Sequence, residues 1–113
     1  GLRVAATGSR QKTAGIEAAA KLEGQLASLG VHARAMFGGH GLFKDAVMFA
    51  FVASEGRLYL RADGSTAMAF EAAGSTQHAR MPYWEVPAPV REDPEQLQEW
   101  AATAAEVAAR SRR

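Results

Sequence analysis

A run of eight apolar residues, 46–53, constrains the fold more than any other feature of the sequence. With the periodicity of a strand, residues 47, 49, 51 and 53 lie on one face and residues 48, 50 and 52 on the other. Because both faces are apolar, we expect a central strand that is covered on both sides. The run is much shorter than the roughly 20 residues of a membrane-spanning helix, so no membrane association is expected.

Three other segments have apolar residues at the three- and four-residue spacing of amphipathic helices. They cover residues 13–29, residues 66–73, and the chain from Pro94 onward. The third has the strongest start signal. Asp93 is a good N-cap, Pro94 fits the first helical position, and Gln96 completes the spacing of a capping box.

The segments between these helices are typical of strands. They are residues 31–37, 41–44, 57–62 and 77–86, the last interpreted as two short strands with Pro82 at an edge or bulge. We therefore predict an α+β fold in which an antiparallel sheet of about five strands is flanked by helices. With residues 31–44 counted as one strand that bends at its glycines, the expected order is α-β-β-β-α-β-β-α.

Basic residues are concentrated at the two ends of the chain. Without those ends, the rest carries 7 basic and 12 acidic residues, about −5. We expect residues 1–12 to be a flexible basic segment or an expression remnant, residues 13–110 a single domain, and residues 111–113 a basic tail. Because affinity for duplex DNA comes largely from phosphate contacts, no tight autonomous DNA binding is expected. The sequence has no cysteine, and we expect a cytoplasmic protein without disulfides.

A glycine-rich segment is the most unusual part of the sequence. It lacks the Gly-Lys-Ser/Thr of a P-loop, and its glycines do not lie between a strand and a helix as in a dinucleotide site. Two interpretations remain: a bent strand with positive φ at a glycine, or a ligand loop. The candidate interaction or ligand residues are Arg34, Met36, Phe37, Gly38, Gly39, His40 and Gly41.

A second cluster, residues 81–87, combines aromatic and proline residues, among them Tyr83 and Trp84. Such a segment suits an edge strand whose rings pack on a helix, with Trp100 as a partner for Trp84. It also suits stacking on a base or docking of a peptide. Tyr83 and Trp84 are therefore a candidate aromatic edge.

Catalytic groups are not evident from spacing. The three histidines, His32, His40 and His78, lack the spacing of a helical metal site. No serine has the sequence context of a nucleophile elbow. We therefore predict no catalytic residue, no metal and no cofactor.

The second face of the apolar run favours self-association. Met48, Ala50 and Val52 form it, and Tyr59 is expected at its rim. The candidate dimer face is therefore Met48, Val52 and Tyr59, and a homodimer is expected.

Two blocks in this order resemble the N-terminal domain of the TfoX (Sxy) family of bacterial competence regulators. They are Met-Phe-Gly-Gly-x-Gly-Leu-Phe at residues 36–43 and Met-Pro-Tyr-Trp-x-Val-Pro at residues 81–87, and the similarity covers roughly residues 22–109. The sequence departs from the family at Asp45-Ala46, where Asp-Gly is common, and at Gln77-His78, where Pro-Phe is common. The resemblance implies an antiparallel sheet flanked by helices and a regulatory, non-enzymatic role.

Two functions are therefore carried forward. The first is a regulatory module that binds a protein partner, whose identity the sequence does not give. The alternative is a small-ligand-binding or cryptic enzymatic domain centred on residues 38–41, with His40 and Arg34 as its polar groups. Convergent polar groups around that loop would favour the alternative, and an exposed apolar surface would favour the first.

Overall fold

The computed structural model describes residues 2–111, with side chains from residue 14 onward. The side chains expected to make the two ends basic, in residues 1–12 and 112–113, lie outside this description. The elements in chain order are α1 (Leu2–Gln25), a 3₁₀ turn (Ala27–Leu29), β1 (Val31–Met36), β2 (Gly39–Lys44), β3 (Val47–Val52), β4 (Leu58–Arg61), α2 (Ala67–Ala72), β5 (Tyr83–Glu85), α3 (Ala88–Arg91) and α4 (Pro94–Ser111).

The five strands form one antiparallel sheet in the order β1-β2-β3-β4-β5. The predicted α+β class is therefore confirmed, with β3 at the centre of the sheet. The distribution of strands differs in detail, since four strands precede α2 and one follows it. The first half of residues 77–86 is not a strand, because Gln77 makes only an isolated bridge to Trp84. Helix α1 begins at Leu2, whereas the apolar spacing predicts a start at Thr13.

Two tight turns join the first three strands. Phe37 and Gly38 have φ of 51° and 76° between β1 and β2, and Asp45 and Ala46 have φ of 51° and 66° between β2 and β3. Two consecutive residues with positive φ are typical of a type I′ hairpin turn, which matches the twist of the strands. The prediction that a glycine of the Gly38–Gly41 segment has positive φ is confirmed at Gly38.

A β-bulge at Phe49 divides the central strand. Leu42 pairs with Ala50 but Phe43 pairs with Met48, so Phe49 is the additional residue. Because the bulge shifts the alternation, Met48 lies on the face opposite Ala50 and Val52. The sequence prediction that residues 48, 50 and 52 share one face is therefore wrong.

All helices pack on one face of the sheet, and their apolar residues join one core with Leu42, Ala50 and Leu60. Phe70 of α2 lies 4.9 Å edge-on from Trp100 and 6.3 Å from Trp84. Phe70 therefore stands between the two tryptophans that the sequence suggests as direct partners.

The start of α4 is capped as predicted. The Asp93 carboxylate accepts hydrogen bonds from the backbone N–H groups of Glu95 and Gln96 and from the Gln96 side chain. Within residues 2–111, no helix has the length and apolar character needed to cross a bilayer.

Candidate functional site

The face of the sheet opposite the helices carries a groove of about 510 Å³. We call it the open-face groove. Its walls are apolar and aromatic, and the side chains that form them are Phe37, Met48, Phe51, Tyr59, Met81 and Tyr83. They come from the β1–β2 turn, from β3, β4 and β5, and from the loop that precedes β5.

A histidine from that loop packs against two rings of the groove. The His78 ring lies 4.8 Å from the ring of Tyr59 and is stacked 6.4 Å from that of Phe51. The His78 backbone N–H donates to the Tyr83 carbonyl at 2.8 Å, which fixes the loop to β5. Only 8% of Tyr59 remains exposed, so this ring is a wall of the groove and not a free surface.

Tyr83 forms one side of the groove, and its hydroxyl has a hydrogen-bond partner within the fold. Its Oη donates to the Met48 carbonyl at 3.4 Å, and the Arg61 guanidinium lies 5.9 Å from its ring. Burial raises the pKa of the Tyr83 phenol, while Arg61 acts in the opposite direction. The hydroxyl therefore stays protonated at neutral pH and acts as a donor within the fold.

Two large apolar side chains stand at the rim. Phe37 is 90% exposed and Met81 is 49% exposed. Phe37 also has positive φ, a conformation that is unfavourable for a bulky residue. The fold therefore displays an aromatic ring at the tip of a hairpin, next to an apolar groove.

The glycines of β2 give the neighbouring side chains their space. A Cβ on Gly41 would lie 2.8 Å from the sulfur atoms of both Met36 and Met48 and 2.9 Å from Phe43. A Cβ on Gly39 would meet the Phe51 ring and the Val52 carbonyl. Both glycines are strand residues that pair with their neighbours, so this segment shapes the wall of the groove and is not a phosphate-binding loop.

Arg34 and His40, the polar groups of the alternative hypothesis, do not come together. Arg34 pairs with Gly41 and lies 5.4 Å from the Phe43 ring, on the open face. His40 pairs with Val52, and directly paired residues share a face, so His40 lies on the helix side. Its Nδ1 is buried without a hydrogen-bond partner in the described part of the chain. The ligand loop proposed from sequence thus lacks convergent polar groups.

The candidate dimer face is corrected in one position. Met48 and Tyr59 both line the open-face groove, but Val52 is completely buried in the core. The bulge at Phe49 is the reason, because it places Val52 and Met48 on opposite faces. The candidate aromatic edge is likewise divided: Tyr83 faces the groove, and Trp84 packs toward Phe70 among the helices.

Sequence reasoning missed six lining residues of the groove, of which Phe51, His78 and Met81 contribute the largest side chains. Phe51 is predicted on the face opposite Met48, which would be correct without the bulge. No local signal marks His78, because its role depends on how the loop folds back onto Tyr59. Among the described residues, no group of three or more His, Cys, Asp or Glu is suited to a metal ion.

Comparison with known families agrees with the resemblance seen in the sequence. The family model described as TfoX N-terminal domain matches residues 24–108. This range contains all five strands and every residue of the open-face groove. Comparison with individually curated proteins finds no match. Because the family model covers well over half of the chain, the protein belongs to the TfoX N-terminal domain family.

Proposed function

We propose that this domain is a non-enzymatic regulatory module that acts in the bacterial cytoplasm by binding a segment of another protein. The observation that carries the proposal is the open-face groove, with Phe37 and Met81 exposed at its rim. Exposed aromatic and methionine side chains next to a preformed apolar depression are typical of protein-binding surfaces.

The polar groups of the groove support binding over catalysis. The Tyr83 hydroxyl is engaged by the Met48 carbonyl, and the His78 ring is stacked against Tyr59. Among the described residues, neither group is hydrogen-bonded to a side chain that could act as a nucleophile, as nucleophilic catalysis with an activating base would require. The surface offered to a partner is therefore mainly carbon and sulfur, which favours apolar side chains of a protein segment.

Site-specific photo-crosslinking in the native host tests this proposal. The chain is produced with p-benzoylphenylalanine in place of Met81 at the groove, and separately in place of Met68. Met68 is a matched control, because it is 68% exposed but belongs to α2 on the helix side. We expect a discrete protein adduct from position 81 and none of that size from position 68. No adduct at 81, or the same adduct at both positions, would contradict the proposal.

A further inference from the structure

Three arginines lie near the open-face groove, next to residues of its walls, although none of them lines it. Arg34 pairs with Gly41 on the open face, the Arg61 guanidinium lies 5.9 Å from the Tyr83 ring, and Arg80 is an exposed residue that directly precedes Met81 in the chain. None of the three forms an ion pair within the described part of the chain. The guanidinium of Arg61 also has a buried Nε without a hydrogen-bond partner there.

Two acidic side chains lie near the groove, and one of them forms an ion pair. Glu55, at one end, pairs with Arg57 at 3.9 Å. Glu85 of β5 pairs with Tyr59 and therefore also lies on the open face. With three arginines against the carboxylate of Glu85, the one without an ion pair among the described residues, the net charge near the groove is positive.

The two C-terminal helices on the other side of the sheet are acidic. Residues 88–111, which contain α3 and α4, carry two basic residues, Arg91 and Arg110, against five acidic ones: Glu92, Asp93, Glu95, Glu99 and Glu106. A segregation of charge between two faces attracts an anionic partner to one face and repels it from the other. An acidic segment would therefore be directed to the sheet face.

We propose that the open-face groove binds an acidic segment of a partner protein that carries a large apolar side chain as its anchor. This inference rests on the proposed function and names the chemistry of the partner. The anchor packs between Phe37, Met48 and Met81, since methionine side chains adapt to differently shaped apolar groups. Acidic residues on either side of the anchor then reach Arg34, Arg61 and Arg80.

Single-stranded nucleic acid is also anionic, but the rings here suit it less well. Base stacking needs free aromatic faces, and three ring faces are already occupied. Arg34 lies over Phe43, Arg61 over Tyr83, and His78 over Tyr59. Among the groove rings that the structure describes, Phe37 is the one that is largely exposed, so the observations favour a peptide.

Selection of peptides on the complete chain tests the inference. A display library of random peptides about ten residues long, the scale of a groove-binding segment, is selected against the immobilised protein. We expect enriched peptides to have net negative charge and one or two large apolar residues. Their affinity, measured by fluorescence anisotropy, should fall about tenfold in Phe37→Gly, as for a hot-spot side chain. It should fall roughly threefold in Arg80→Glu, as for a charge at the rim.

The variants are chosen to leave the fold intact. Glycine suits the positive φ of position 37, so Phe37→Gly removes the ring without disturbing the turn. Met68→Ala and Lys21→Glu change an exposed methionine and an exposed basic residue on helices. Both should bind the selected peptides as the unchanged chain does.

The possible failures are distinguishable. Enriched peptides that are neutral or basic but still require Phe37 would contradict the acidic partner and leave the proposed function standing. Absence of enriched peptides, or binding that is the same in Phe37→Gly, would contradict both. Displacement of the acidic peptides by an oligouridylate would assign the groove to nucleic acid. A homodimer that competes with the peptides and that Phe37→Gly abolishes would assign it to a second copy of the chain. Either result would overturn this inference.

Discussion

The ring of His78 lies 4.8 Å from the ring of Tyr59, although 19 residues of sequence separate them. This contact brings the loop before β5 over the open face of β4. The loop thereby forms one wall of the groove on this face of the sheet. The shape of the candidate site therefore depends on a loop as well as on the sheet.

The turn between β2 and β3 contains an alanine in an unfavourable conformation. Ala46 has a φ of 66°, and glycine adopts this conformation without the steric cost of a Cβ. We expect Ala46→Gly to raise the free energy of unfolding by about 0.5–1 kcal/mol, measured by urea denaturation. The matched control is Ala20→Gly in α1, which should lower it by about 1 kcal/mol. Destabilisation by both changes would show that the turn is not strained.

Gly41 is closely surrounded by the side chains of its neighbours. A Cβ there would lie within 2.9 Å of Met36, Met48 and Phe43, so these groups must move. We expect Gly41→Ala to lower the free energy of unfolding by about 1 kcal/mol, the lower end of the range for overpacking, because the two methionine side chains can shift. Gly24→Ala is the control, because no atom lies within 4 Å of the added Cβ. It should be neutral or stabilising by up to about 1 kcal/mol. Equal effects of the two changes would contradict the packing described for the groove.

The environment of Asp63 leads us to expect that the protein loses stability in acid. Its carboxylate accepts hydrogen bonds from the backbone and side chains of Thr66 and Ser65 and lies 3.4 Å from Arg110. The Thr66 backbone bond is the main cause that holds the pKa of Asp63 well below its usual range. The pKa of Asp63 is lower in the folded state than in the unfolded state. The ionised carboxylate therefore stabilises the fold at a pH above its unfolded-state pKa of about 3.9, and this stabilisation is lost as the pH falls below that value.

We therefore expect Asp63→Asn to weaken the dependence of the unfolding free energy on pH between about 5 and 2. Thermal or urea unfolding at several pH values measures it. Asp45→Asn removes an exposed turn carboxylate and serves as the control. If the unfolding free energy of Asp63→Asn keeps the full pH dependence of the unchanged chain, the hydrogen-bonded carboxylate is not its source.

Phe70 connects the short helix α2 to the core. Its ring is 4% exposed and touches both tryptophans. We expect Phe70→Ala to lower the free energy of unfolding by about 3–4 kcal/mol and to change the tryptophan fluorescence of the folded protein. Met68→Ala, on the exposed side of the same helix, should do neither. Unchanged fluorescence in Phe70→Ala would contradict the position of Phe70 between the rings.

The parts of the fold that are set by local chemistry could be predicted from the sequence. The N-cap at Asp93, the positive φ at Gly38 and the central strand all follow from neighbouring residues. The bulge at Phe49 could not be predicted, because the apolar run is equally compatible with a strand whose side chains alternate without interruption. That single additional residue moved Val52 from the predicted dimer face into the core and put Phe51 beside Met48. The contribution of His78 depends on tertiary packing and has no local signature.

The four methionines allow a direct test of the central claim, that the open-face groove is the binding site. Met48 and Met81 line the groove, Met36 lies beside it, and Met68 is on the helix side. With ¹³C-labelled methionine methyl groups, the chain is titrated with the selected acidic peptides and followed by NMR. The account predicts that the resonances of Met48 and Met81 shift while that of Met68 does not. A shift of Met68 with Met48 and Met81 unchanged would contradict it.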